Sequence, residues 1–331
     1  MKINLTLDSF AVILYCSDLI PSPYPELTIE EWNEVTNKLN LSSMSEVSRL
    51  FGMGEEVLTQ IIGIEEFVAQ KIINRNTLMT AMFHSLHNLE NEGINITTQY
   101  EDNYPKQLLK LKQRAPLILY YVGDLSLIGN DNVSIVGPQK TNSRYLNLTK
   151  HAVHKVSDEN RTLVAAGIKG VDAYGVKLML ENQGKVIFFV SDHLFDKKRT
   201  YEKEIREGKV LILSAVDPYA YFNVTNALDR NIYICGLSSH QFVIASRINS
   251  GATWFTSIQN FHFNWTEQLV INVRGKHNGN IRLIEMGAIP VSENDLQSLM
   301  SIDEIVEKNK IIETVDEPVI DQMSIYEFIE D

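Results

Sequence analysis

The sequence is poor in three features that would place the protein in a familiar class. It has only two cysteines, Cys16 and Cys235, too few for a disulfide framework or a thiolate metal site. It has no apolar run near the roughly 20 residues that cross a bilayer. Its first ten residues are too polar for a signal peptide. We therefore expect a cytoplasmic protein that uses no membrane, metal or cofactor.

Basic residues are also scarce. The chain has 30 lysines and arginines against 42 aspartates and glutamates, a net charge of −12. Proteins that coat nucleic acid are usually basic, because phosphate neutralisation supplies most of their non-specific affinity. The charge therefore disfavours a general coat protein, and it does not forbid a local positive groove on an acidic body. Seven of the carboxylates lie between Glu313 and Asp331, where there is no lysine or arginine.

The period of the apolar residues changes along the chain. Residues 1–95 show helical spacing and predict a small all-helical domain, with one helix over 76–92. Short β-branched runs then begin at residues 132, 162, 185, 209, 242 and 269, mostly separated by segments long enough for helices. This pattern predicts an α/β domain over 96–292 with a doubly wound, Rossmann-like parallel sheet. Residues 293–331 are expected to form a short helix, 293–309, and an acidic tail.

The first strand of this series ends at Gly137, and the polar residues Gln139 and Lys140 precede a predicted helix. A strand, a glycine and a polar loop before a helix N-terminus can bind an anion, because free backbone N–H groups and the helix dipole favour phosphate. The single glycine does not make a dinucleotide fingerprint. A purely structural strand-to-helix turn remains the alternative.

Two further segments have the same potential. Lys169 and Gly170 follow the second strand, and Ser250 and Gly251 precede an aromatic helix. A lysine beside glycines offers a point charge and close backbone approach. The alternative is again structural: Asp172 and Ser250 could simply cap helices.

Motifs over residues 100–292, in this order, resemble the DprA/Smf family of DNA-processing proteins. The matching segments are 100–105 (YEDNYP), 115–120 (APLILY), 123–125 (GDL), 135–137 (IVG), 169–172 (KGVD), 184–185 (GK), 230–231 (RN), 236–238 (GLS), 250–251 (SG), 279–280 (GN), 283–284 (LI) and 287–288 (GA). Each motif alone is weak, whereas their common order and spacing make a strong match.

The resemblance implies a Rossmann-like fold that binds single-stranded DNA, forms a homodimer and helps to load a RecA-type recombinase. Two cations of the family pattern are missing, because Pro138-Gln139 replaces its S-R and Ile232 replaces the second arginine of its R-N-R. The chain is thus expected to be a divergent member.

We identify no nucleophile–base pair, so the sequence predicts a binding protein rather than an enzyme. The predicted DNA- or phosphate-binding residues are Gly137, Gln139, Lys140, Lys169, Gly170, Arg230, Asn231, Ser250 and Gly251. Two other interpretations stay open. The same site could bind a nucleotide as the sensor of a bacterial phage-defence system, or the chain could be a scaffold with a decayed pocket that binds protein partners.

Overall fold

The computed structural model describes residues 4–273 and 278–310, so the acidic tail lies outside the described residues. Contacts divide the chain into two compact units. The first, the helical unit, runs to Val122 and includes Ser191–Thr200 and Leu213–Asn223. The second, the sheet unit, holds Gly123–Val190, Tyr201–Ile212 and the described chain from Val224 onward. The predicted domain boundaries at residues 95 and 292 stay predictions.

The described residues of the helical unit form four α-helices, followed by two antiparallel strands, and the unit also contains a short α-helix from later in the chain. The elements are α1 (Leu7–Cys16), α2 (Ile29–Leu41), α3 (Glu66–Asn76), α4 (Met79–Asn91), β1 (Asn95–Thr98), β2 (Ile118–Val122) and α7 (Leu194–Thr200). The side chain of Thr28 accepts the N–H of Glu31 and the Glu31 carboxylate accepts that of Thr28, which fixes the start of α2. The predicted helix over 76–92 is one turn too long, because α3 ends at Asn76 and α4 begins at Met79.

A buried arginine ties this unit together. Arg75 is 1% exposed. Its guanidinium donates to the backbone carbonyls of Leu14 (2.6 Å), Ser17 (2.7 Å) and Tyr24 (2.8 Å). Two of these carbonyls lie at the C-terminal end of α1, where partial negative charge favours a cation. The arginine therefore closes the end of α1 and the loop that follows it.

The described residues of the sheet unit form strands in the order β6-β5-β4-β3-β7-β8-β9. Pairing is parallel from β5 through β4, β3, β7 and β8 to β9. The strands are β3 (Val133–Val136), β4 (Leu163–Ala165), β5 (Val186–Val190), β6 (Val210–Ser214), β7 (His240–Val243), β8 (Glu267–Ile271) and β9 (Ile289–Val291). Their burial explains the continuous apolar runs, since both faces of such a sheet are covered. The doubly wound α/β prediction is confirmed.

Helices connect these strands. They are α5 (Ser143–Asp158), α6 (Val171–Glu181), α8 (Glu202–Arg206), α9 (Val224–Leu237), α10 (Gly251–Phe263), α11 (Gly279–Glu285), α12 (Glu293–Gln297) and α13 (Ile302–Asn309). The helix predicted over 293–309 is divided into α12 and α13. Ser292 and Ser301 each start a helix with a capping box, and the buried Lys155 ammonium donates to the carbonyls of Ser298 and Met300 between them. The break is therefore a fixed turn.

Candidate nucleic-acid interface

Three loops leave the sheet unit at the carboxyl ends of β3, β4 and β7. They comprise residues 137–142, 166–170 and 244–250, and we call them together the carboxyl edge. In doubly wound sheets this edge is where ligands bind, because the strand order reverses there and helices begin there. Here β3 lies between β4 and β7, so the chain after β3 stands at the point of reversal. The fold thus brings the three predicted segments to one side of the sheet.

Glycines bring the first two loops into direct contact. Gly170 has φ of +89°, and a Cβ atom there would lie 2.4 Å from the carbonyl oxygen of Pro138 and 2.5 Å from the Cα of Gln139. A Cβ on Gly137 would lie 2.9 Å from a methyl group of Val171, whose N–H donates to the Pro138 carbonyl at 3.2 Å. At Gly170 a larger residue cannot fit without moving the backbone, and at Gly137 it would collide with the Val171 side chain. The two glycines therefore set the position of Gln139.

The carboxylate of Asp172 shapes the second loop. It accepts the backbone N–H groups of Ala166 (3.0 Å), Gly167 (3.2 Å) and Ile168 (3.5 Å). Burial raises the pKa of Asp172, while these hydrogen bonds and the positive charge of Arg230 act in the opposite direction. Because these three backbone N–H groups already donate to Asp172, they are not available to a ligand. The group that the β4 loop can offer a ligand is the side chain of Lys169.

A cavity of about 190 Å³ opens at the carboxyl edge. Six of the nine predicted site residues line it: Gly137, Gln139, Lys140, Asn231, Ser250 and Gly251. The structure therefore brings together most of the residues that the sequence singled out. The predicted residues of the β4 loop are not among those that line the cavity.

The other three predicted residues lie elsewhere. Lys169 is exposed on the β4 loop, and Gly170 supports Gln139 as described above. Arg230 is 7% exposed, its Nε donates to the Asn231 side chain at 3.1 Å, and its charge acts on Asp172. In this position Arg230 compensates a carboxylate of the protein. Its role as a phosphate ligand stays a prediction.

Two cavity residues were missed from the sequence. Arg247, exposed on the β7 loop, lines the same cavity as Lys140. A cation four residues beyond the end of a parallel strand was the signal that could have found it. Gln241, within β7, is 1% exposed and lines the cavity as well. Its amide N–H donates to the Ser134 hydroxyl at 3.1 Å, and its Oε1 has no hydrogen-bond partner among the described residues.

The β7 loop is held by a buried side chain on α11. Asn280 is fully buried, and its amide nitrogen donates to the carbonyls of Ile271 (2.8 Å), Ile244 (3.2 Å) and Val243 (3.3 Å). Its oxygen accepts from the Ser246 hydroxyl at 2.8 Å. Because Arg247 follows directly, this asparagine fixes the backbone from which that arginine projects.

The geometry defines a class: a doubly wound α/β protein with a cation-lined cavity at the carboxyl edge of its sheet. Comparison with protein families identifies the family within this class. The model of the family "DNA recombination-mediator protein A" matches residues 95–302, more than half of the chain. The chain belongs to this family, and the DprA resemblance is confirmed. The family is described as a mediator, which agrees with the prediction of a binding protein rather than an enzyme.

Individual relatives agree. A 156-residue stretch is 25% identical to the DNA processing protein DprA of Streptococcus pneumoniae and spans 54% of that protein and 46% of this chain. The chain thus spans about half the length of this curated relative.

Solved structures share the fold. The X-ray structure of DprA from S. pneumoniae matches with a TM-score of 0.69 at 19% identity, covering 91% of this chain and 100% of that one. A second is described as showing the single-stranded DNA binding mode of DNA processing protein A from Helicobacter pylori. It matches with a TM-score of 0.53 at 22% identity, over 65% of this chain and 97% of that one.

Within the described part of the chain, no helix is long and apolar enough to span a membrane.

Proposed function

We propose that this chain binds single-stranded DNA, with the strand's phosphates lying along the carboxyl edge. The single observation that carries the proposal is that two cationic residues, Lys140 and Arg247, line one cavity. Lys140 and the neighbouring Lys169 make no ion pair with any described residue. Cations that the protein does not neutralise itself are available to phosphate. The Helicobacter pylori relative, described as binding single-stranded DNA, supports the same ligand.

Backbone groups complete the proposed edge. Helices α5 and α10 both begin at the cavity, after Asn142 and Ser250. The Asn142 side chain accepts the Tyr145 N–H, whereas the Ser250 side chain makes no capping hydrogen bond. Helix N-termini present unpaired N–H groups and a partial positive charge, which suit a phosphate oxygen. The start of α10, with Ser250 and Gly251, is therefore the stronger of the two backbone sites.

A second candidate ligand is a mononucleotide, as expected of a nucleotide-binding sensor. The observation in its favour is Gln241, which lines the cavity and whose buried Oε1 has no hydrogen-bond partner among the described residues. A buried acceptor without a donor costs free energy, and an exocyclic amino group of a base would satisfy it. Homodimer formation and a recombinase partner are further proposals that follow from the family alone, and a role in phage defence is a further proposal that would fit a divergent, acidic member.

The test is a titration of labelled oligo-dT with wild type, Lys140→Ala and Arg247→Ala at several salt concentrations. Among the described residues few cations line the edge, so the plot of log affinity against log salt should be shallow, with a slope of about −2 to −3, since each single-strand contact gives roughly −0.7. Each variant should weaken binding and flatten the slope by about 0.7.

Matched controls remove exposed cations away from the cavity. They are Lys177→Ala on α6 and Arg282→Ala on α11, whose side chains are 66% and 50% exposed. Equal losses in controls and edge variants would refute the proposed site. Tight binding of a nucleotide in a parallel panel, without binding of oligo-dT, would favour the second candidate.

A further inference from the structure

The helical unit presents a group of aromatic side chains to solvent on one short loop. Residues 217–222, which we call the aromatic loop, follow β6. Tyr219 is 55% exposed, Tyr221 84% and Phe222 63%. Single exposed apolar residues are ordinary, whereas three large aromatics within four positions mark a surface that meets a partner.

The loop is fixed rather than loosely extended. The Asp217 carboxylate accepts the Tyr219 N–H at 2.9 Å, and its backbone carbonyl accepts the Ala220 N–H at 2.8 Å. Aspartate followed by proline is typical of such a turn, and Pro218 is buried beneath it. A side chain presented from a fixed backbone loses little conformational entropy when it binds.

The short helix α7 supports the loop from the side and contributes positive charge. The ring centroids of Phe195 and Tyr219 are 4.7 Å apart, with 40° between the ring planes. The last turn of α7 carries Lys197, Lys198 and Arg199. The Lys198 ammonium donates to the carbonyl of Glu92, which fastens the helix to the end of α4, and the Arg199 side chain is 82% exposed.

Two of the nearby carboxylates, Asp217 and Asp196, are engaged within the protein. Asp217 accepts the Tyr219 N–H, and Asp196 lies 3.6 Å from His193 and 4.0 Å from Arg199. Aromatic faces beside a cationic turn are the arrangement with which proteins hold unpaired bases: the rings stack on bases while the cations follow the backbone. A peptide partner would need donors and acceptors for its backbone, and the exposed faces here are mainly rings.

We propose that the aromatic loop is a second contact for single-stranded nucleic acid, where Tyr221 and Phe222 stack on bases and Arg199 contacts a phosphate. This inference rests on the proposed function and extends it to the helical unit. The contact does not read sequence, because every base has a face on which a ring can stack.

The experiment compares oligo-dT with a strand of equal length that contains abasic sites, using the full chain. Variants are the double substitution Tyr221→Ala with Phe222→Ala, and Tyr221→Phe as the conservative control. Wild type should bind oligo-dT at least about fivefold tighter than the abasic strand, as expected from stacking on one base. Tyr221→Phe should keep this preference, and the double variant should lose it with an unchanged Tm. A preference that survives in the double variant would overturn the inference.

Arg199→Gln provides a separate measurement. It should flatten the salt dependence of oligo-dT binding by about 0.7 in slope, whereas the double aromatic variant should leave the slope unchanged. If Lys140→Ala weakens binding and the loop variants bind both strands like wild type, the proposed function stands and this surface serves a protein partner instead. If wild type binds no single-stranded DNA, both proposals are wrong.

Discussion

The two edges of the sheet unit differ in the kinds of residue that form them. At the amino ends of β4, β7 and β8, ionisable side chains lie close to one another, and Arg161 pairs with two carboxylates. Arg161 lies 2.5 Å from Asp303 and 2.7 Å from Glu159, and His240 lies 3.4 Å from Asp303 and 3.6 Å from Glu267. We call these five residues the amino-edge cluster. At the carboxyl edge, glycines, helix starts and lysines without ion pairs take their place.

The difference indicates that one edge of the sheet stabilises the fold and the other is available to a ligand. The amino-edge cluster fastens α13 under the sheet, since Asp303 lies on that helix and the N–H of Ile302 at its start donates to Glu159 at 2.7 Å. Charges used in this way hold the fold and are unavailable to a ligand. At the carboxyl edge, Lys140 and Lys169 make no ion pair with a described residue, and cations without a counter-charge attract phosphate. Substitutions at the two edges should therefore affect different measurements.

The largest effect is expected from Arg161→Ala. Removing this buried guanidinium leaves Glu159 and Asp303 without their partner, and the free energy of unfolding should fall by about 2–3 kcal/mol, less than for a fully buried pair because Asp303 is exposed. Urea denaturation measures the loss. Binding of oligo-dT at a temperature where the variant is folded should match wild type. Weaker binding in the folded variant would contradict the claim that the amino edge takes no part in DNA binding.

Asp172→Asn should lower both the free energy of unfolding and the affinity for oligo-dT. An amide in place of the carboxylate loses charge-assisted hydrogen bonds from the β4 loop, which should cost about 2 kcal/mol of unfolding free energy. Because this loop packs on Gln139 through Gly170, affinity for oligo-dT should also fall. The control is Asp158→Asn, an exposed position at the end of α5. Wild-type affinity in a destabilised Asp172→Asn would show that the loop does not position the site.

Lys169→Glu should change binding alone. The lysine is exposed and makes no ion pair with a described residue, so the melting temperature should not fall. Reversing its charge should weaken the binding of oligo-dT or a nucleotide by at least about 1 kcal/mol, the scale of a charge-assisted hydrogen bond. Fluorescence titration gives the number, and an unchanged affinity would remove Lys169 from the site.

The smallest effect concerns pH. Burial and the charge of Arg161 lower the pKa of His240, against the opposing pull of Asp303, Glu267 and Glu159. A histidine whose pKa is lowered by folding stabilises the fold above its unfolded pKa of about 6.5, and this stability is lost as pH falls through the folded value. Unfolding free energy measured from pH 7.5 to 5 should therefore decline more steeply in wild type than in His240→Gln. Parallel curves would remove the histidine from the pH response.

The sequence was sufficient where a local pattern decides the structure. The parallel sheet follows from apolar runs that are buried on both faces, and Gly137 and Lys140 follow from their place after a strand. The division between α12 and α13 was also readable, since Ser292 with Asp295 and Ser301 with Glu304 are two capping-box patterns.

The remainder depended on contacts between distant segments. Whether Arg230 reaches a ligand or a carboxylate is decided by how α9 packs near Asp172, 58 positions away in sequence. No local spacing contains that information. Arg247 was overlooked because it lies between the matched segments 236–238 and 250–251, although it lines the cavity.

The central claim is that the carboxyl edge alone, within the sheet unit, receives the DNA strand. Hydrogen–deuterium exchange with and without oligo-dT tests it directly, because both edges are measured in one sample. The account predicts slower exchange in peptides that cover 137–142 and 244–253, and no change in peptides that cover 159–162 and 301–310. Protection at the amino edge, or a lack of protection at the carboxyl edge, would contradict it.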